Sequence, residues 1–246
     1  MSTETTSLVP VNSFPEQWRH FAGFLRRPEL PAQTGSFQQG LKAIFRMLVL
    51  DLAIMIMLLS VVLLVVLVGV ELPKNAISDL ELNLPVILGI VIAAPVLEEL
   101  AFRGWLSGKP GHVLALAILI VGLGGATVLS IGDNSPAPAA ILSIAAMIAA
   151  LAALIFLRKR PPMQWFSRLF PAFFWLSALG FALIHIFNYQ EGDWYALLPL
   201  VVPQLVLGSV CAYLRVHNGL WSAMLMHALH NGIIVACVMT ALQFAE

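Results

Sequence analysis

Residues 52–70 have the sequence LAIMIMLLSVVLLVVLVGV, without one charged side chain. A helix of this length is able to cross the hydrocarbon core of a bilayer, which takes roughly 20 apolar residues. Together with the residues before it, the run predicts a first membrane span over residues 44–70. Further apolar segments follow at residues 84–106, 113–131, 137–157, 172–187, 195–214 and 220–242. The sequence therefore predicts an all-α, polytopic transmembrane helix bundle of about seven spans (six to eight).

The composition of the whole chain agrees with a membrane protein. Of its 246 residues, 60% are hydrophobic and only 11% are charged, and the mean hydropathy is +0.91. A soluble domain usually has about 25% charged residues. The formal net charge is zero, which gives no indication of a nucleic-acid partner. Cys211 and Cys237 lie inside apolar segments and are interpreted as small hydrophobic residues rather than as a disulfide.

The charges between the segments predict the orientation of the chain. Basic residues precede the first span and follow the second, fourth and sixth, whereas Lys74 is the only basic residue of the opposite loops. The positive-inside rule then places the N-terminus in the cytoplasm. We expect a cytoplasmic N-terminal arm over residues 1–42, with a short interfacial helix near residues 18–27, and a transmembrane domain over residues 43–246. The compact loops and the lack of a targeting segment favour a bacterial inner membrane.

Three of the predicted spans carry ionisable or amide side chains. A charge at the centre of a bilayer costs at least about 2.5 kcal/mol, so such residues face a protein interior or a wet cavity and indicate function by default. They are Glu98, Glu99 and Arg103 in the second span, His185 and Asn188 in the fifth, and His227, His230 and Asn231 in the seventh.

The spacing in the second span separates its two carboxylates. Glu99 and Arg103 are four residues apart, share a helix face and are able to form an ion pair. Glu98 lies about 100° further around the helix and lacks that partner. The pattern therefore predicts Glu99 and Arg103 as a structural ion pair and Glu98 as a general base.

The histidines and the asparagine complete a hydrolytic set. His227 and Asn231 are also four residues apart, so both are able to donate a hydrogen bond to one oxygen, the geometry that stabilises an oxyanion. His185, from another span, would position a water molecule with Glu98. The same Glu98, His185 and His227 could instead bind zinc with an open water position, although the sequence contains no HExxH motif.

Most of these residues also have a purely structural interpretation. Glu99 with Arg103 alone would be an ordinary buried ion pair, and a lone histidine is more often a hydrogen-bonded core residue than a catalyst. We interpret His230 as a packing residue, and Asp51 as a group near the inner end of the first span that meets water or a lipid headgroup. Gln204 is interpreted as lining the cavity. The functional interpretation rests on the combination of costly polar residues in three separate spans.

Three motifs make the chain resemble the CPBP family of intramembrane proteases, which includes the type II CAAX prenyl endopeptidases and the bacteriocin-processing Abi proteins. They are an EExxxR motif at residues 98–103, an FxxxH motif at 181–185 and an HxxxN motif at 227–231. The similarity covers about residues 84–242. It implies an all-helical membrane fold with a cavity open to the cytosol and no obligatory metal.

The same resemblance implies a role for each matching residue. Glu98 would activate water with His185, and His227 with Asn231 would form the oxyanion site. The ion pair at residues 99 and 103 would support both. The expected function is an intramembrane endopeptidase whose substrate is a membrane-associated or lipidated protein or peptide, prenylated or not. The alternatives are a non-catalytic membrane scaffold or bacteriocin-immunity factor that retains the polar cluster, and a small proton-coupled transporter, which the lack of an internal repeat disfavours.

One expected distance conflicts with this arrangement. In the predicted topology Glu98 lies inward of mid-span and His185 lies outward, a mismatch of roughly 10 Å at 1.5 Å per residue. A break in the second span at Pro95, an earlier start of the fifth span or a half-length helix would remove the mismatch.

Overall fold

A computed structural model describes residues 13–75, 80–132 and 135–245. Within these ranges the protein is helical, and seven helices are long and apolar enough to cross a membrane. Their bounds are Phe37–Leu67, Leu84–Ser107, Pro110–Ile131, Ala137–Phe156, Phe170–Asn188, Trp194–Asn218 and Leu220–Phe244. The all-α multi-pass architecture and the predicted number of spans are confirmed.

Several of these spans consist of more than one helical segment. The α-helices are α1 (Phe14–Arg26), α2 (Phe37–Leu67), α3 (Leu84–Leu88), α4 (Ala94–Arg103), α5 (Pro110–Gly132), α6 (Ala137–Phe156), α7 (Gln164–Arg168), α8 (Phe170–Ile184), α9 (Trp194–Leu197), α10 (Val202–Asn218) and α11 (Leu220–Ala245). A π-helical turn, Gly89–Ala93, joins α3 to α4. Short 3-10 turns follow α4, α8 and α9, at Gly104–Ser107, His185–Asn188 and Leu198–Val201.

Helix α10 is the centre of the bundle. All its residues from Leu207 to Val216 are buried, and it packs against α2, α8 and α11. Its Arg215 donates hydrogen bonds to the carbonyl oxygens of Arg103 (3.0 Å) and Gly104 (3.2 Å). Carbonyl groups in the last turn of a helix have no partner within that helix. Arg215 therefore binds the C-terminal end of α4 to the central helix.

The N-terminal helix α1 packs onto the bundle through aromatic and polar contacts. Phe21 and Phe24 are buried, with ring centroids 5.2 and 5.3 Å from that of Tyr213. The Tyr213 hydroxyl accepts a hydrogen bond from Gln17 Nε2 and contacts His20 Nδ1, both at 2.7 Å. Burial lowers the pKa of His20, so its neutral ring is able to accept the hydroxyl proton.

Capping residues set the observed start of the first two helices. Ser13 and Glu16 form a capping box before α1, and Ser36 and Gln39 form a second one before α2. Because a capping box satisfies free backbone N–H groups, helix α2 begins at Phe37, ahead of the apolar run that predicted it. Residues 1–12 of the predicted arm lie outside the described residues.

Helices α5 and α6 form a hairpin in which small residues allow close contact. A Cβ atom added at Gly122 would lie 2.3 Å from the Ala146 Cβ atom, and one at Gly111 would lie 2.9 Å from the Ala153 carbonyl oxygen. Small residues permit this approach between helices in a bilayer.

We expect Gly122→Ala to destabilise the protein by about 1–3 kcal/mol, because the added methyl group has no room against α6. Gly124, on the same helix, is the matched control, since nothing lies within 4 Å of a Cβ atom added there. Gly124→Ala should be neutral or stabilising, because it only reduces the freedom of the unfolded chain. Thermal unfolding in detergent measures both variants, and equal melting temperatures would contradict the proposed contact.

Candidate active site

The second span is interrupted immediately before its acidic residues. In the π-helical turn the Ala94 N–H donates to the Gly89 carbonyl, five residues back. In that register the Ile90 carbonyl would need the N–H of Pro95, and proline has none. Asn231 of α11 donates to this free carbonyl from Nδ2 at 2.9 Å. The break expected near Pro95 is therefore present, and the Asn231 side-chain amide of the seventh span supplies the hydrogen bond that the Ile90 carbonyl lacks within its own helix.

Glu99 is the centre of a buried polar cluster. Its Oε1 atom accepts hydrogen bonds from Arg103 Nη1 and His227 Nδ1, both at 3.0 Å. Glu99 and Arg103 have no solvent-exposed surface, and His227 is 2% exposed. The ion pair between Glu99 and Arg103 forms as the four-residue spacing predicts. The contact of Glu99 with His227 of the seventh span was not predicted, because the two residues lie on different helices and no spacing relates them.

Glu98 lies in a different environment from its neighbour. Its side chain is 32% exposed, and its Oε2 atom is 3.8 Å from His227 Nε2. The two ring nitrogens of His227 therefore face two different carboxylates, Nδ1 the buried Glu99 and Nε2 the accessible Glu98. This separation agrees with the predicted division of the two glutamates into one that is paired with Arg103 and one that lacks this partner.

The hydrogen-bond network assigns the proton on His227. A Glu99 carboxylate paired with Arg103 only accepts hydrogen bonds, so the 3.0 Å contact puts a proton on Nδ1 of His227. In a neutral ring this leaves Nε2 unprotonated and facing Glu98. At 3.8 Å the Glu98 carboxylate lies next to Nε2 without a hydrogen bond to it, while Glu99 fixes the orientation of the imidazole, as a carboxylate does in hydrolytic triads.

Phe181 connects His185 to this cluster. Its ring centroid lies 4.7 Å from that of His185 and 5.5 Å from that of His227. The Arg103 guanidinium carbon is 4.0 Å from the same centroid, a cation–π contact. His185 Nδ1 bonds the Phe181 carbonyl at 2.7 Å, and among the described residues His185 makes no hydrogen bond to Glu98. The predicted joint positioning of a water molecule by Glu98 and His185 therefore stays a prediction.

Gly208 on the central helix gives Arg103 its space. A Cβ atom added there would lie 2.9 Å from both Arg103 Nη2 and Phe181 Cδ1. A glycine inside an apolar run carries no signal of such a contact, so sequence reasoning missed both Gly208 and the central position of Phe181. Gln204, expected to line a cavity, has a buried Oε1 atom with no hydrogen-bond partner in the described part of the chain.

A second carboxylate–histidine pair lies between the first and last spans. Asp51 of α2 is fully buried, and its Oδ2 atom is 2.5 Å from Nδ1 of His230, which is 12% exposed. The expectation that Asp51 meets water or a headgroup is wrong, because its side chain points into the bundle. The interpretation of His230 as a packing residue is also wrong, because its ring makes a polar contact to another helix.

The fold and the site together define an integral, multi-pass membrane protein with a polar site inside the bundle. A family model described as type II CAAX prenyl endopeptidase Rce1-like matches residues 80–233. The chain belongs to this family. The matched range includes all three motifs, so the resemblance inferred from them is confirmed, and membership supports a general function in intramembrane proteolysis. No curated protein and no solved structure gives a significant match.

Proposed function

We propose that the protein is an intramembrane endopeptidase that hydrolyses a peptide bond of a membrane-associated or lipidated substrate with Glu98 as the general base. The observation that carries the proposal is the pair of unlike glutamates beside one histidine. The Glu98 side chain is 32% exposed, whereas Glu99 is buried and orients His227. A general base has to reach the water that it deprotonates, and of these two carboxylates Glu98 is the one that is not enclosed by protein.

The proposed reaction is a single displacement through a tetrahedral intermediate. Glu98 takes one proton from water as the water oxygen bonds to the substrate carbonyl carbon, and the carbonyl oxygen becomes an oxyanion. The C–N bond then breaks, and the proton moves from Glu98 to the leaving nitrogen. The products are a carboxyl terminus and a free amine, with no other reactant required.

Asn231 and His227 are proposed to stabilise the oxyanion. The carboxamide nitrogen of Asn231 carries two protons, of which the Ile90 carbonyl takes one and leaves the other for a substrate oxygen. His227 is proposed to donate to the oxyanion from Nε2 as an imidazolium, the protonation state in which Nδ1 still donates to Glu99. His185 is proposed to bind the attacking water. The bond from its Nδ1 to the Phe181 carbonyl leaves Nε2 as an acceptor.

The proposed reaction uses no metal. The residues Glu99, Cys211 and His227 place one possible ligand atom each within 4.8 Å of the others. They do not fit a divalent cation, because the Glu99 oxygen already accepts from the Arg103 guanidinium, whose charge would repel the metal. His227 also directs its Nδ1 proton at the same oxygen. The ligand atoms of the alternative zinc set predicted from the sequence, Glu98, His185 and His227, do not form such a group in the described part of the chain.

A chelator titration tests the absence of a metal. We expect the purified protein to retain its peptidase activity in an excess of a zinc chelator and to contain far less than one zinc per chain by elemental analysis. Stoichiometric zinc that is lost together with activity, and whose return restores it, would contradict a Glu98-only mechanism.

The proposed substrate class, a lipidated protein or peptide, is supported by membership of a CAAX prenyl endopeptidase family. We propose a bacterial inner membrane as the location, with the N-terminus in the cytoplasm and the bilayer itself as a partner.

Purified protein in detergent is incubated with matched quenched fluorescent peptides, with and without a prenyl group on a cysteine. Cleavage of at least one peptide, at a single bond identified by mass spectrometry, is expected. Failure to cleave any peptide of the panel, in detergent and in liposomes, would sink the proposal.

A further inference from the structure

The pair formed by Asp51 and His230 is not part of the proposed reaction, yet it lies on the helix that carries two of the reacting residues. His230 is three residues after His227 and adjacent to Asn231. On a helix His230 lies about 60° from His227 and about 100° from Asn231, so the three side chains share roughly one side of α11. The ring of His230 reaches across to α2, while its neighbours on α11 reach α4 and the π-helical turn.

Asp51 is an isolated polar group on the buried face of its own helix. The other buried residues of α2 are apolar or glycine: Gly40, Ala43, Ile44, Met47 and Met55. The Oδ1 atom of Asp51 has no hydrogen-bond partner in the residues that the structure describes. Among the described residues, the only polar contact of Asp51 is therefore the one that its Oδ2 atom makes with His230. A buried carboxylate without its partner is strongly destabilising, so any movement that separates Asp51 from His230 is costly.

Apolar contacts alone between α2 and α11 would permit small rotations of α11 about its own axis. The hydrogen bond between Asp51 and His230 resists such rotations because it requires a defined distance and angle. Side-chain tips lie about 5–6 Å from a helix axis, so a rotation of α11 by about 10° moves them by about 1 Å. A shift of that size would break the 3.0 Å bond of His227 to Glu99 and the 2.9 Å bond of Asn231 to the Ile90 carbonyl. Displacement of a reacting group by about 1 Å is able to cost about 100-fold in rate.

We propose that Asp51 and His230 are positioning residues for hydrolysis, which fix the rotation of α11 so that His227 and Asn231 face the substrate together. The proposal rests on the proposed peptidase function. It assigns a role in turnover to a residue of the first span, outside residues 80–233 that match the family model.

A nearly isosteric series at residue 51 separates positioning from folding. Asp51→Asn keeps an oxygen that accepts the His230 proton, and we expect kcat within about fivefold of the wild type. Asp51→Leu removes the acceptor, and we expect kcat to fall about 10- to 100-fold with KM changed less than about threefold. In the double variant Asp51→Leu/His230→Leu both polar groups are gone, so the melting temperature should equal or exceed that of the wild type. Its kcat should nevertheless stay low.

Met55→Ala is the matched control for packing. Met55 is buried on the same face of α2, one turn from Asp51, and its side chain is apolar. We expect this variant to lose melting temperature and to keep its kcat. A double variant with wild-type kcat would overturn the proposal. So would a result in which kcat falls with melting temperature in the residue 51 series and falls in the same way in Met55→Ala. A wild-type protein that cleaves no peptide would instead disprove the peptidase function, so the two failures are distinguishable.

Discussion

Glu98→Gln is expected to lower kcat for peptide cleavage by about 10²- to 10⁴-fold, the usual contribution of a general base. The amide keeps the size and the polarity of the side chain but is unable to take a proton from water. Because the Glu98 side chain is 32% exposed and makes no contact shorter than 3.8 Å to His227, the change removes no buried interaction. The melting temperature should therefore stay close to that of the wild type.

The control for Glu98→Gln is Glu98→Asp, which retains a carboxylate on a shorter side chain. Partial turnover by the aspartate variant and none by the glutamine variant would identify proton transfer as the lost step. Wild-type turnover by Glu98→Gln, measured with the same peptide and the same amount of folded protein, would remove Glu98 from the reaction and favour a non-catalytic role for the cluster.

Arg103→Leu is expected to cause the largest loss of stability among these substitutions. It leaves the fully buried Glu99 without its cation, and removal of one partner of a buried ion pair typically costs about 3–5 kcal/mol. The variant also loses the cation–π contact with Phe181 and leaves a space beside Gly208. Thermal unfolding in detergent and the yield of monodisperse protein measure the effect.

The matched control for Arg103→Leu is Arg27→Leu. Arg27 and Glu29 also form an ion pair at 3.0 Å, but their side chains are 84% and 69% exposed. Exposed pairs contribute little to stability, so this variant should unfold at nearly the wild-type temperature. If Arg103→Leu behaves like Arg27→Leu, the buried pair does not support the fold as described.

Apolar run lengths were sufficient to predict the spans, because the bilayer sets a minimum length for each. The i, i+4 spacing likewise predicted the pair of Glu99 with Arg103, which is a local contact on one helix. The contact of Asp51 with His230 joins the first and last spans. Residue spacing within one span gives no information about which residue of another span it contacts. Residue type still carried a signal, since a charge in an apolar run requires a partner somewhere in the bundle.

The depth mismatch predicted between Glu98 and His185 assumed straight α-helices, and the structure departs from them at two places. A π-helical turn precedes Pro95, and a 3-10 turn starts at His185. Helix α8 also begins at Phe170, two residues before the predicted start of the fifth span. The sequence marked the first of these only by its proline. The ring of Phe181 then lies in contact with both His185 and His227, a connection that a motif of fixed letters does not describe.

The hydrogen bond from Asn231 to the Ile90 carbonyl affects how an inactive form of this protein should be made for capturing its substrate. Asn231→Asp would place a carboxylate against the Ile90 carbonyl oxygen, which has no helical donor because residue 95 is proline. The second span would then lose the hydrogen bond that satisfies this carbonyl. The proposed oxyanion role of Asn231 and the stability of the second span are therefore inseparable at that position. A substrate trap should be built at residue 98, where the proposed base is removable while the hydrogen bonds of Glu99 and Asn231 remain.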